Sequence, residues 1–176
     1  MKLYHFTTRE YSVGEKVSVP QGVYAFSYSN ETEKKQKTID CFDEYISQKY
    51  PDYVSRKQAV YAFDNAKYAK HFGHGCKGHI YKIEMDVSYK GPMVLVNRLE
   101  KELGNKEREI KVLEEYFEPK HAWKEYEYLG KNFVVIKELD ENIIENQDYM
   151  VDYDLDKKVF EPTPTWAEKM KTMKSM

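Results

Sequence analysis

Trp123-Lys124-Glu125-Tyr126-Glu127-Tyr128-Leu129-Gly130, with the apolar run Phe133-Val134-Val135-Ile136 close behind it, is the stretch on which the fold turns. In an extended chain residues i and i+2 face the same way, so Glu125 and Glu127 lie on one side of a strand and Tyr126 and Tyr128 on the other. Two readings follow. Either the glutamates are the solvated half of an alternating strand whose tyrosines turn to the core, or both carboxylates stand at a strand's lip, an arrangement suited to chemistry.

The rest of the chain bounds the choice. Its 176 residues suit one domain with a substantial core, read as a core over about 2–140 and an extension over 141–176. With 28 Lys+Arg against 30 Asp+Glu the net charge is -2, which excludes a global attraction to nucleic acid and leaves local basic patches open. No apolar run approaches the roughly 18–20 residues that span a bilayer, and Met1-Lys2-Leu3-Tyr4-His5 lacks a signal-peptide core, so a soluble, cytoplasmic protein is expected. Cys41 and Cys76 make no disulfide framework and read as reduced thiols. The 16 tyrosines are the one oddity of composition, since a cleft lined with them can hold a flat ring.

Along the chain, Lys2 to Thr7 and Val23 to Tyr28 read as strands. Asn30 or Thr32 caps a helix over about Glu33 to Lys49, with Ile39, Phe42, Tyr45 and Ile46 at helical spacing before Pro51. Ala59 to Phe63 reads as a strand, and Asp64 caps a short helix that Gly73 ends. His79 to Met85 alternates as a half-buried strand. After Gly91-Pro92 a helical region covers about Val94 to Phe117, broken near Gly104-Asn105. One stripe there is Leu95, Leu99 and Leu103, the other Ile110, Leu113 and Phe117. After Leu139 the chain turns acidic, then Pro-rich at Pro162-Thr163-Pro164, then basic from Trp166 to Met176, and its last ten or so residues are expected to move or to cover a neighbour.

Neither a P-loop nor a Gly-x-Gly-x-x-Gly after a strand occurs, which removes the two commonest phosphate cradles. His71, His74, Cys76 and His79 fall within nine residues and are side chains that zinc prefers, the basis for a metal-dependent hydrolase. Their spacing fits no familiar zinc module, and a glycine-rich turn into a strand explains the glycines without metal, so no metal ligand is assigned. Three further features stand in order: Tyr4-His5-Phe6-Thr7 at the first strand; Arg56 before Val60-Tyr61-Ala62-Phe63 and a helix bearing Tyr68 and Phe72; and Glu125-Tyr126-Glu127.

Together these resemble the ADP-ribosyltransferase superfamily, in which three motifs on separate strands build one NAD cleft. Tyr4-His5-Phe6-Thr7 is similar to the family's Tyr-His-Gly-Thr strand, Tyr61-Ala62-Phe63 through Tyr68 to its aromatic strand and helix, and Glu125-Tyr126-Glu127 to its Glu-x-Glu ending. His79 to Met85 resembles a strand of the small rifamycin-modifying members. The likeness spans about residues 2–138 through short motifs.

The resemblance implies an α+β fold with a split, mostly antiparallel sheet and flanking helices, and mono-ADP-ribosyl transfer from NAD as substrate. It assigns Glu127 to the ribosyl cation and Glu125 to the acceptor nucleophile. His5 would hold the adenosine-side ribose with Thr7 in support, Tyr61 and Tyr68 would stack on nicotinamide, and Arg56 would meet the diphosphate. Glu127→Gln is expected to abolish transfer with the fold intact. Partners are NAD, an acceptor that is a protein side chain, nucleic-acid base or small antibiotic, and a cognate antitoxin or regulatory protein; a membrane is not among them. Two departures stand out: Phe6 replaces the family's glycine, and the Ser-Thr-Ser motif of the arginine-directed toxins is absent. The rival reading is a module of the same fold that binds a nucleotide or partner without transfer.

Overall fold

The computed structural model describes residues 1–18, 31–73 and 77–140; the expected strand at Val23 to Tyr28 and the segment after Asp140 lie outside them. The elements are β1 (Lys2–Thr7), β2 (Lys16–Ser18), α1 (Glu33–Lys49), a 3-10 turn (Arg56–Gln58), β3 (Val60–Ala62), α2 (Ala66–Phe72), β4 (His79–Pro92), α3 (Met93–Glu102), α4 (Lys106–Phe117) and β5 (Tyr126–Glu138). The protein is α+β, with an antiparallel five-stranded sheet and four α-helices among the described residues.

The sheet runs β1-β4-β5-β2, and β3 also pairs with β5. β4 and β5 form its spine. β2 pairs with the far part of β5 at Phe133 and β3 with the near part at Leu129, while register shifts between Lys82 and Tyr89 bend the β4 side of the ladder. Bulges of this kind increase local twist and turn a strand's side chains in new directions. β1 joins the two ends, pairing with the first part of β4 and bridging through Tyr4 to Phe63 just beyond β3.

Local chemistry explains the helix ends. Thr32 caps α1, its hydroxyl accepting from the Lys35 N–H at 3.3 Å. α2 is capped by Asn65, which accepts from the Lys67 N–H at 2.8 Å, rather than by Asp64. Asp64 instead accepts from the Tyr128 hydroxyl at 3.4 Å. Gly73 does end α2, but with φ at -68° and not in the left-handed form. Glycine is needed there for space: a Cβ at Gly73 or Gly78 would lie 2.7 Å from the Phe6 ring. The bulky residue of the first motif therefore nests against two glycines of another segment.

The helical region breaks at Gly104 as expected, yet the buried face of α4 is not the expected stripe. Ile110 is 48% exposed, and the face turned inward carries Glu109, Val112, Leu113 and Tyr116, the i, i+3, i+4, i+7 pattern of one helix side. Tyr116 and Leu113 pack with Phe42 and Ile46 of α1, Leu95 and Leu99 of α3, and Tyr61 and Leu129 of the sheet. A second cluster, with Leu3, Tyr81, Met85, Tyr128 and Val135, fills the other side. Each fully buried side chain of this size contributes about 1.5–3 kcal/mol of transfer energy. Because both sheet faces are covered, Glu127 and Tyr128 are buried alike, and the solvated-face reading of the glutamates fails.

Candidate active site: a buried carboxylate under an aromatic cleft

Glu127 lies one residue inside β5, opposite Gly91 of β4, and is 2% exposed. A carboxylate there must be neutralised, because an isolated charge out of water is costly. Arg56 does this, its Nη1 donating to Glu127 Oε1 at 2.5 Å, while the Tyr116 hydroxyl donates to the same oxygen at 2.6 Å. Arg56 Nη1 also donates to the Tyr116 oxygen at 3.1 Å, closing a triangle. Both bonds to the carboxylate fall on Oε1, which leaves Oε2 as the oxygen that takes neither.

The turn carrying Arg56 is pinned to α1. Asp43 accepts from the Arg56 N–H at 2.7 Å and from the Ser55 hydroxyl at 3.0 Å. The guanidinium then lies 4.5 Å from the centre of the Phe42 ring and 5.2 Å from that of Tyr61, surfaces that favour a cation. Burial pushes its proton toward release, but the Glu127 carboxylate together with Tyr61, Tyr116 and Tyr89 outweighs this and holds the Arg56 value well above the ordinary one. Burial and the Glu127 charge likewise hold the Tyr116 phenol far above its usual range, so it stays a neutral donor.

Arg56, Tyr61 and Glu127 open onto one cleft of about 290 Å³, walled also by Phe72 of α2, Met93 of α3 and Lys35 of α1. The Tyr61 and Phe72 rings stack at 5.7 Å and 22°, presenting an aromatic wall. The Tyr61 hydroxyl is tied down by donating to the Arg56 carbonyl at 3.1 Å. Glu31, Thr38, Asn97 and Glu100 complete the polar part of the rim.

The sequence-assigned residues divide accordingly. Glu127, Arg56 and Tyr61 come together. Arg56 is 4% exposed and bound to Glu127, not presented to a diphosphate, and Tyr68 is not in the cleft: it packs with Phe63, Ala69 and Ile80, and Phe72, one turn further along α2, takes the place expected of it. His5 stands behind the wall, its Nδ1–H donating to the Tyr61 carbonyl at 2.8 Å and its ring 5.2 Å from Phe133. Thr7 is half-buried at the end of β1, its hydroxyl accepting from the Arg9 N–H at 3.0 Å, and does not line the cleft. Glu125 is 5% exposed, with His71 Nδ1 3.5 Å from its Oε1 and its carbonyl accepting from the Met93 N–H at 2.8 Å. The first glutamate is thus within reach of solvent through the half-exposed His71 ring rather than directly.

The buried ion pair also changes the expected effect of Glu127→Gln. Removing the charge leaves the Arg56 cation buried beside a neutral amide, so the fold is weakened together with the chemistry. Sequence reasoning assigned neither Phe72, which lines the cleft, nor Tyr116, which is buried against Glu127 beneath it.

Two other expectations concern thiols and metals. Cys41 is a free thiol, pushed up to about 12 by burial and the Glu109 carboxylate. His79 pairs with Glu138 at 2.6 Å, and no group of three metal-ligating side chains occurs among the described residues, which do not include His74 and Cys76. No described helix is long and apolar enough to cross a membrane. Compared with known proteins, the chain matches no protein-family model and no curated protein.

Proposed function

We propose that this protein is a mono-ADP-ribosyltransferase, moving ADP-ribose from NAD to an acceptor, with Glu127 as the anion that faces the ribosyl centre. The observation that carries the reading is a carboxylate fixed through one oxygen at the floor of a cleft whose wall is an aromatic stack. Breaking the bond between nicotinamide and ribose builds positive charge on the sugar, and a preorganised anion in a dry site stabilises that charge. Oε2 of Glu127 is the atom suited to a ribose hydroxyl. The Tyr61–Phe72 wall suits the flat, cationic nicotinamide ring.

A volume of about 290 Å³ sits at the small end of ligand sites, which run from about 300 Å³ upward, and so suits the nicotinamide riboside half of NAD. The diphosphate would lie toward the rim. Lys35 there, paired at 3.7 Å with Glu31 of the same rim, is the basic wall residue not bound to Glu127, and it would take the diphosphate role expected of Arg56 by exchanging that carboxylate for phosphate. Glu125, as acceptor base, would act through His71. The resemblance of the short sequence motifs supports the same reading by analogy.

A specific observation favours the second reading, a binding module without transfer: Arg56 already neutralises Glu127, which weakens its pull on a developing cation. Nicotinamide release from NAD separates the two. Transfer requires release, with or without an added acceptor, while a binding module takes up NAD or ADP-ribose and releases nothing.

A further inference from the structure

We infer that Tyr116 is a positioning residue for Glu127, and that the glycine at Gly91 makes the room this requires. Arg56 touches the Glu127 carboxylate through Nη1 alone, and Arg56 Nε, though buried, has no hydrogen-bond partner among the described residues. The pair is therefore not the two-pronged fork that fixes a carboxylate's plane by itself. A single contact leaves the carboxylate free to turn about its last bond. The second fixed point is the Tyr116 hydroxyl, 2.6 Å from the same oxygen on a side chain with no solvent exposure. With both donors on Oε1, Oε2 is the oxygen delivered to the cleft.

An independent feature of the sheet belongs to the same device. Gly91 is the residue directly opposite Glu127 in the β4–β5 ladder, and a Cβ built there would overlap the Tyr116 ring at Cζ and both Cε atoms. The Tyr116 phenol reaches the Glu127 carboxylate with its ring lying over Gly91 of β4. A residue with any side chain there would close the path. Phe42 packs edge-on against the Tyr116 ring at 4.8 Å and holds it there from α1.

The kinetic part of this inference rests on Glu127 facing the ribosyl centre; the positional part does not. Tyr116→Phe keeps the ring and removes the hydroxyl alone. In the full chain, with NAD as the probe, it is expected to lower kcat for nicotinamide release about 10- to 100-fold, as loss of a hydrogen bond to a charged group implies, with KM changed by less than about threefold. Gly91→Ala, which removes no functional group, is expected to lower kcat in the same sense by displacing the ring. A folded Tyr116→Phe protein with the wild-type kcat overturns the inference. Crystal structures of wild type and Tyr116→Phe decide the positional claim even if the wild type releases no nicotinamide, an outcome that would count against the transferase reading alone. A Glu127 carboxylate rotated off its wild-type position in the variant supports the inference; an unmoved carboxylate contradicts it.

Discussion

At the scale of single residues, Glu127 has two jobs that cannot be separated by simple deletion. Its charge balances the buried Arg56 guanidinium as well as facing the cleft. Breaking a buried pair by removing one partner costs about 3–5 kcal/mol, and Glu127→Gln should fall toward the low end because the amide oxygen still accepts from Arg56 and Tyr116. At about 2–4 °C per kcal/mol for a domain of this size, the melting temperature should drop by roughly 6–12 °C. Thermal unfolding by circular dichroism checks this, and an unchanged melting temperature would mean that the pair contributes nothing to the fold. Glu127→Asp, which keeps the charge, is the companion variant for kinetics. His5 gives a second residue-scale expectation. Burial lowers its pKa, partly opposed by its bond to the Tyr61 carbonyl, so the folded ring is neutral where the unfolded one begins to protonate. The unfolded chain then binds the extra proton, and stability contributed by this site is present above about pH 6.5 and lost as pH falls below it. His5→Gln should flatten the decline in urea midpoint between about pH 6.5 and 5; an identical slope in the variant would contradict this assignment.

At the scale of elements, the approach to the active strand is set by one carboxylate at the end of α4. Glu115 Oε1 accepts from the Lys120 N–H, the His121 N–H, His121 Nδ1 and Trp123 Nε1, all between 2.9 and 3.1 Å. These bonds fold the chain back so that Trp123 enters the core and Glu125 and Glu127 follow in register. Burial pushes the Glu115 pKa up, but the donors from Trp123, His121 and Lys120 outweigh it and hold the group below the ordinary carboxylate range. Its contribution is therefore complete above about pH 4.3 and disappears as pH falls through the lower folded value. Glu115→Gln should unfold at lower urea than wild type at pH 7 and match it near pH 2; a constant difference across that range would sink the clamp. Part of this layout was legible. Caps and 3.6-residue spacing located α1, alternation located the first half of β4, and Lys2 to Thr7, expected as a strand, is β1. What escaped is instructive: the α4 stripe was assigned to Ile110, Leu113 and Phe117, and the true face is turned so that Tyr116 points inward. Glu109 and Glu115 are on that face, and buried carboxylates with partners elsewhere in the chain are invisible to a pattern of apolar spacing. The expected strand ended at Met85, whereas β4 runs on through Gly91 and Pro92, where tertiary packing of Tyr116 demands the glycine.

At the scale of the whole molecule, an α+β domain with an antiparallel sheet follows from the order of elements, and the meeting of Arg56, Tyr61 and Glu127 follows from how the sheet is wired. β3 places Tyr61 opposite Leu129, two residues from Glu127, and α1 pins the turn that precedes β3. Sequence order suggested the company of these residues but not their contacts. The pairing of Arg56 with Glu127 joins positions 71 residues apart, and no local pattern reports it. Likewise the alternation in Glu125-Tyr126-Glu127-Tyr128 fits either a one-faced or a two-faced strand, and only the covering of both sheet faces decides between them. The central claim is that this sheet exists to set one carboxylate against the sugar of NAD. Incubation of the purified full chain with NAD, with free nicotinamide followed by chromatography, tests it most directly. The account predicts release that continues over many turnovers and falls at least about 100-fold in Glu127→Gln, assayed well below that variant's melting temperature. Release at the wild-type rate in folded Glu127→Gln, or none from the wild type with any acceptor added, would contradict it.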